Sequence, residues 1–163
     1  MVNHTLIIRA LKPNDNPNLA KIIRSALEEF GANKPGTVYF DPTTDALFDL
    51  FQAPGSAYFV AEESGELLGG AGFFPTNGLP DGVAELVKMY LRPEARGLGL
   101  AKLLINKTEE MAKKMGYAGL YLESMPELAN ALTMYEKMGY HYLEGPMGNS
   151  GHTGCGLWMF KNI

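Results

Sequence analysis

An apolar run from Val83 to Leu91 passes through Arg92-Pro93-Glu94-Ala95-Arg96-Gly97-Leu98-Gly99 straight into a segment whose apolar residues recur at helical spacing. No other feature constrains the fold as much, because a strand that feeds a helix through so short a loop belongs to a sheet with helices packed on its faces. The helix should bury Leu100, Leu103, Leu104, Met111, Ala112 and Met115 along one side and stop at Gly116.

Strand and helix signals alternate on both sides of this unit. Leu6 to Leu11 reads as a first strand, and Asn16 before Pro17 opens a helix in which Leu19, Ile22, Ile23, Ala26, Leu27 and Phe30 share a face until Gly31. Asp41-Pro42 opens a second, shorter helix with Leu47, Phe48 and Phe51 on one side, ended by Pro54-Gly55. Ala57 to Ala61 and Leu67 to Phe74 flank a Ser64-Gly65 turn and form a hairpin. Gly69, Gly70 and Gly72 in its second strand imply a bulge or a close backbone approach. Downstream, Leu120 to Glu123 is a short strand, and Ser124 with Glu127 makes a capping box around Pro126 that launches a helix through Leu128, Ala131, Leu132, Tyr135 and Met138 to Gly139. Tyr140 to Leu143 and Cys155 to Phe160 are the last strands, separated by a loop rich in Gly, Asn and Ser. The fold class is α/β (α+β): a mixed sheet of about seven strands with about four helices, in the order β-α-α-β-β-β-α-β-α-β-β.

A chain of 163 residues, 46% hydrophobic, is enough for one domain over residues 1–163 with a real core. Its 14 Lys plus Arg against 18 Asp plus Glu, without a basic run, argue against a nucleic-acid partner. No stretch reaches the roughly 18 apolar residues of a membrane span, and Met1-Val2-Asn3-His4-Thr5 carries no signal-like segment. Cys155 is the only cysteine, which excludes an intrachain disulfide and fits a reducing compartment. A cytoplasmic protein with a small or soluble partner follows, and strand edges near the carboxyl terminus offer a surface for a homodimer.

The glycine loop carries the chemistry. The first N–H groups of a helix lack intrahelical partners, and the helix dipole adds partial positive charge, so a phosphate group binds there favourably. Gly97 and Gly99 remove side chains from that approach, and Arg96 adds charge. A P-loop would need a Gly-Lys-Ser/Thr ending, which is missing, and a G-x-G-x-x-G fingerprint would need Gly or Ala where Lys102 stands. A third pattern, [Q/R]-x-x-G-x-[G/A], is met by Arg96-x-x-Gly99-x-Ala101. Further on, Met134-Tyr135-Glu136-Lys137-Met138-Gly139-Tyr140 carries a Tyr-x-x-x-Gly-aromatic signature. With these motifs and its order of elements, the chain resembles the GNAT superfamily of acyl-CoA-dependent N-acetyltransferases over nearly its whole length.

The resemblance implies acetyl-CoA as donor, a primary amine as acceptor, and a fourth and fifth strand that splay to admit pantetheine. On this chain that edge is Met89, Tyr90 and Leu91, whose backbone would hold the pantetheine amides, with the Met89 N–H aimed at the thioester oxygen as charge develops on it. The pyrophosphate would lie against Arg96, Gly97, Leu98, Gly99, Leu100 and Ala101. Relatives often carry a cofactor-contacting Asn seven residues before the tyrosine. Here Leu128 has that spacing and Asn130, two residues on, is the candidate. Tyr135 falls where many relatives keep a general acid for the departing thiolate; without the resemblance it reads as a core tyrosine. Glu85, eleven residues before Arg96, falls where several relatives place a general base. An amine of pKa about 10.4 must lose a proton before it attacks, although Glu85 could instead pair with a nearby cation. Tyr39, Phe40 and His152 sit where the family shapes its acceptor pocket. His152 and Cys155 alone do not define a metal site. The chain's modest size favours a small-molecule amine; protein acetylation and non-catalytic acyl-CoA sensing are the alternatives.

Overall fold

The computed structural model describes residues 5–163, so the reading of residues 1–4 as free of a signal segment lies outside the described residues. In chain order the elements are β1 (Leu6–Ala10), α1 (Asn16–Glu29), α2 (Leu47–Leu50), β2 (Ala57–Glu63), β3 (Glu66–Phe74), β4 (Val83–Leu91), α3 (Leu100–Lys114), β5 (Gly119–Ser124), α4 (Ala129–Lys137), β6 (His141–Leu143) and β7 (Leu157–Asn162). The strands make one sheet in the order β1-β2-β3-β4-β5-β7-β6. Neighbours are antiparallel except β4 and β5, which the crossover helix α3 forces parallel. The predicted order of strands and helices therefore holds. No helix among the described residues is long and apolar enough to cross a membrane.

Both faces of the sheet are covered, so successive residues of a strand enter different cores. Phe59 and Ala61 pack with Phe73, Leu104 and Leu120 on the side of α3 and α4. Tyr58 and Val60 pack with Leu19, Ile23 and Leu47 on the side of α1 and α2. Ser64 and Gly65, with φ of 50° and 84°, make the hairpin turn between β2 and β3.

The glycines of β3 serve a close approach. The ring of Tyr58 lies across Gly70 and Gly72, where an added Cβ would stand 2.4 Å and 2.7 Å from its carbons, and this position lets the Tyr58 hydroxyl donate to the Lys88 carbonyl at 2.8 Å. That carbonyl sits at a bulge. Gly70 pairs with Tyr90 and Gly72 with Val87, so Lys88 and Met89 together oppose one residue of β3, and Lys88 takes φ of 53°. Gly70→Ala is expected to cost about 1–3 kcal/mol by overpacking against Tyr58, read as a lower denaturant midpoint at unchanged slope.

Three local expectations are corrected. Leu103 on α3 and Met115 at its C-terminal cap are 46% and 49% exposed, while Ile105 and Thr108 turn inward with Leu100, Leu104 and Ala112. Thr108 tolerates burial because its hydroxyl donates to the Leu104 carbonyl at 2.8 Å. The Ser124–Glu127 capping box does not form: Ser124 ends β5 opposite Leu157, Glu127 pairs with Lys34, and α4 begins only at Ala129. The second helix shrinks to a 3-10 turn, Pro42–Asp45, capped by the Asp41 side chain, followed by the single turn of α2.

Candidate active site

The strand pairing itself opens the site. β4 and β5 pair only from Val83 to Glu85 against Gly119 to Tyr121, after which β5 continues along β7 as far as Ser124 while β4 stays with β3. The gap is a cleft of about 660 Å³ walled by Lys88 to Leu91 on one side and Leu122 to Ser124 on the other. Met89, Tyr90 and Leu91 therefore line it along an edge that no other strand occupies.

At one end of the cleft lies the start of α3. Gly97 and Gly99 both adopt φ of 78°, and among the described residues the backbone N–H groups of residues 97–102 have no acceptor within the protein. The first such bond is from the Leu103 N–H to the Gly99 carbonyl at 3.2 Å. A Cβ added at Gly97 or Gly99 would meet nothing within 4 Å, so the loop faces open space suited to an anion. Leu98 is 77% exposed and its side chain is not on the cleft wall, so only its backbone can contribute. Leu100 and Ala101 line the cleft beneath the loop. Arg96 spans the mouth, with its guanidinium 2.8 Å from Glu29, 3.1 Å from the Leu91 carbonyl and stacked over the Phe30 ring. Asn130 lines the cleft from α4, as does Leu128 just ahead of the helix.

Tyr135 faces the same cleft from α4, 7% exposed and edge-on to Tyr140 at 5.7 Å between ring centroids. Its hydroxyl has no hydrogen-bond partner among the described residues and is left to the cleft. Burial raises its pKa, so the phenol keeps its proton at neutral pH.

Glu85 opens onto a second, smaller cavity of about 50 Å³ that shares Lys88, Tyr90, Glu123 and Ser124 with the wall of the cleft. The carboxyl is 4% exposed and accepts from the Thr76 hydroxyl at 2.6 Å. Burial pushes its pKa up to about 7; the Thr76 hydrogen bond opposes the shift, and the nearby Glu123 charge reinforces it. His152 borders this cavity, its Nε2 2.8 Å from Asp41 Oδ2. Although burial works the other way, hydrogen bonds from His152 and Thr43 hold the Asp41 carboxyl down at about 2. The Cys155 thiol, pushed up to about 12 by burial, offers no thiolate at neutral pH. Among the described residues no group of three or more His, Cys, Asp or Glu is placed to hold a metal ion.

The structure thus gathers Glu85, Met89, Tyr90, Leu91, Asn130, Tyr135, His152 and the glycine loop around two adjoining cavities. Tyr39 and Phe40 line neither. The turn Val38–Phe40 points Val38 inward, while the Tyr39 hydroxyl donates to Glu28 on α1 and Phe40 remains 59% exposed. Lys88 was missed by the sequence reading. A charged residue inside the apolar run Leu86-Val87-Lys88-Met89-Tyr90-Leu91 was the signal available for it.

A family model described as Acetyltransferase (GNAT) family matches residues 19–140, a span that holds β4, the glycine loop, α3 and Tyr135. The chain belongs to the GNAT family. The uncharacterized N-acetyltransferase YjgM of Escherichia coli strain K12 is 38% identical over 159 residues, covering 96% of this chain and 95% of that protein. Among solved structures, the fold matches a GNAT acetyltransferase from Staphylococcus aureus Mu50 with a TM-score of 0.86 at 18% identity, covering 97% of this chain and 99% of that one. It also matches the PaiA N-acetyltransferase from Thermoplasma acidophilum, solved with coenzyme A, with a TM-score of 0.76 at 18% identity over 98% and 99% of the two chains. As a GNAT protein with N-acetyltransferase relatives, the chain is an acyltransferase.

Arg96 already has a carboxylate partner. Its half-exposed pair with Glu29 competes with any phosphate at the loop. Such pairs contribute about 0.2–1 kcal/mol, so Glu29→Gln is expected to tighten coenzyme A binding by up to about fivefold in calorimetry.

Proposed function

We propose that this chain transfers the acetyl group of acetyl-CoA to the primary amine of a small molecule, by direct attack with both substrates bound. The observation that carries this reading is the shared wall between two cavities. One holds unpaired backbone N–H groups and a partnerless phenol, and the other holds a carboxyl whose pKa lies near neutrality.

When bound, acetyl-CoA supplies an activated acyl carbon. The N–H groups of residues 97–102 would hold its pyrophosphate, and the free edge at Met89 to Leu91 would pair with its amides as an added strand. The ammonium first gives its extra proton to water; Glu85 then takes a second proton from the attacking nitrogen as the N–C bond forms, and Tyr135 gives its phenolic proton to sulfur as the C–S bond breaks. Exchange with water then returns Glu85 and Tyr135 to their starting states. A pKa near 7 suits the base, because such a carboxyl is ionised in about half the molecules at neutral pH and is a far better proton acceptor than an ordinary carboxylate. A small acceptor is favoured because Val38, His152 and Cys155 close over the Glu85 cavity, and about 50 Å³ admits little more than an amine head.

The test is release of free thiol from acetyl-CoA by the purified protein against a panel of primary amines and amine-terminated peptides, with calorimetry on coenzyme A alongside. Amine-dependent release from small acceptors is the expected result. Absence of any heat of association with coenzyme A by folded protein would sink the reading.

A further inference from the structure

Lys88 plays no part in the chemistry above, yet its placement is costly. Its side chain is 4% exposed, and the nearest carboxylate oxygen, Asp41 Oδ2, lies at 3.9 Å, beyond hydrogen-bond reach. Among the described residues its Nζ makes no hydrogen bond at all. The stem is buried while Nζ keeps a little surface open to the cavities, so the ammonium depends on what those cavities hold, because one carboxylate at that distance compensates it only weakly. Burial accordingly lowers the Lys88 pKa, against the raising influence of Asp41 and Glu85.

The surrounding carboxylates are already engaged. Asp41 accepts from His152 at 2.8 Å and from the Thr43 amide and hydroxyl at 2.9 Å and 2.7 Å. Glu123 accepts from the Tyr121 hydroxyl at 2.7 Å and also from Ser150. Lys88 is also fixed in place: the bulge sets its φ at 53°, a conformation rare for lysine, and the Tyr58 hydroxyl pins its carbonyl. The residue borders both the cleft and the Glu85 cavity. The result is a lysine whose backbone is fixed and whose ammonium is under-coordinated, beside the carboxyl assigned to receive the acceptor's proton.

We propose that Lys88 binds a carboxylate of the acceptor, so that the substrate class is amino-carboxylates, zwitterions whose amine faces Glu85 while their carboxylate completes the coordination of Lys88. This inference rests on the amine-acetyltransferase reading and narrows it. Charge-assisted hydrogen bonds from a buried ammonium to a carboxylate are among the stronger polar contacts. A site built around such a contact rejects analogues that lack it, because the cation is then left unpaired.

The experiment compares matched acceptors: a panel of free amino acids, each beside its carboxamide and its decarboxylated amine, with thiol release from acetyl-CoA as readout. For the best acceptor, the wild-type protein should show kcat/KM at least about 30-fold higher for the acid than for its carboxamide, carried mainly by KM. Lys88→Gln should bring that ratio toward one, and Lys88→Arg should keep part of it. Equal efficiency for acids, carboxamides and amines in the wild-type protein would overturn the assignment while leaving amine acetylation intact, and that comparison needs no variant to fold. If coenzyme A binds but no amine of any kind is acetylated, the transferase reading falls and the carboxylate assignment falls with it.

Discussion

Glu85→Gln is expected to lower kcat/KM by about 10²–10⁴-fold while raising thermal stability at pH 8. The two effects share one cause, the burial that lifts the carboxyl to about 7. For activity, the wild-type kcat/KM should fall as pH drops through about 7, where the base takes up a proton, and this limb should vanish in the variant. For stability, the folded-state pKa lies above the unfolded value of 4.5, so between the two the unfolded chain binds fewer protons than the folded one and stability falls as pH rises. The penalty is absent below pH 4.5, complete above about pH 7, and on the order of 3 kcal/mol in size. Glutamine cannot ionise, and its amide oxygen can still accept from Thr76. Melting curves should therefore favour Glu85→Gln at pH 8 and converge with wild type near pH 4.5. Parallel loss of activity and stability would instead mark Glu85 as half of a structural pair.

Tyr135→Phe should act on rate alone. Among the described residues the hydroxyl has no partner to lose, and the ring contact with Tyr140 survives, so stability should change by less than about 0.5 kcal/mol. Turnover should fall about 10²-fold or more, because the leaving sulfur then departs without a positioned proton. KM for acetyl-CoA and the affinity for coenzyme A should stay close to wild type, a pattern that separates a group acting in the transition state from one that merely binds. A Tyr135→Phe protein with full turnover would remove the general-acid role.

Much of this site was legible in the sequence because its parts are local. The strand, the two glycines and the helix start follow one another without interruption, and Glu85 and Tyr135 lie at short fixed distances from recognisable motifs. What escaped was set by partners distant in the chain. Asp41 meets His152 across 111 positions, and no local pattern announces that pair. Ser124 and Glu127 have the residue types of a capping box, but pairing with β7 and with Lys34 claims them first. On α3 the apolar spacing counted Leu103 as inward, whereas the helix turns Ile105 and Thr108 to the sheet, the latter hiding its hydroxyl on its own backbone. Tyr39 and Phe40 lie in a loop whose direction depends on how α1 packs, and the hydrogen bond to Glu28 carries Tyr39 away from the cavities.

The early parting of β4 from β5 also reaches beyond chemistry. Past Glu85 the sheet is two half-sheets facing each other over a seam, each bonded on its outer side and open on its inner one. A donor molecule laid into that seam sutures the halves, and at a hundredfold excess over its Kd such a ligand adds about 2.7 kcal/mol to the cost of unfolding. If the proposed thioester donor lies in that seam, its supply would govern how long each copy resists proteolysis as well as how fast it works.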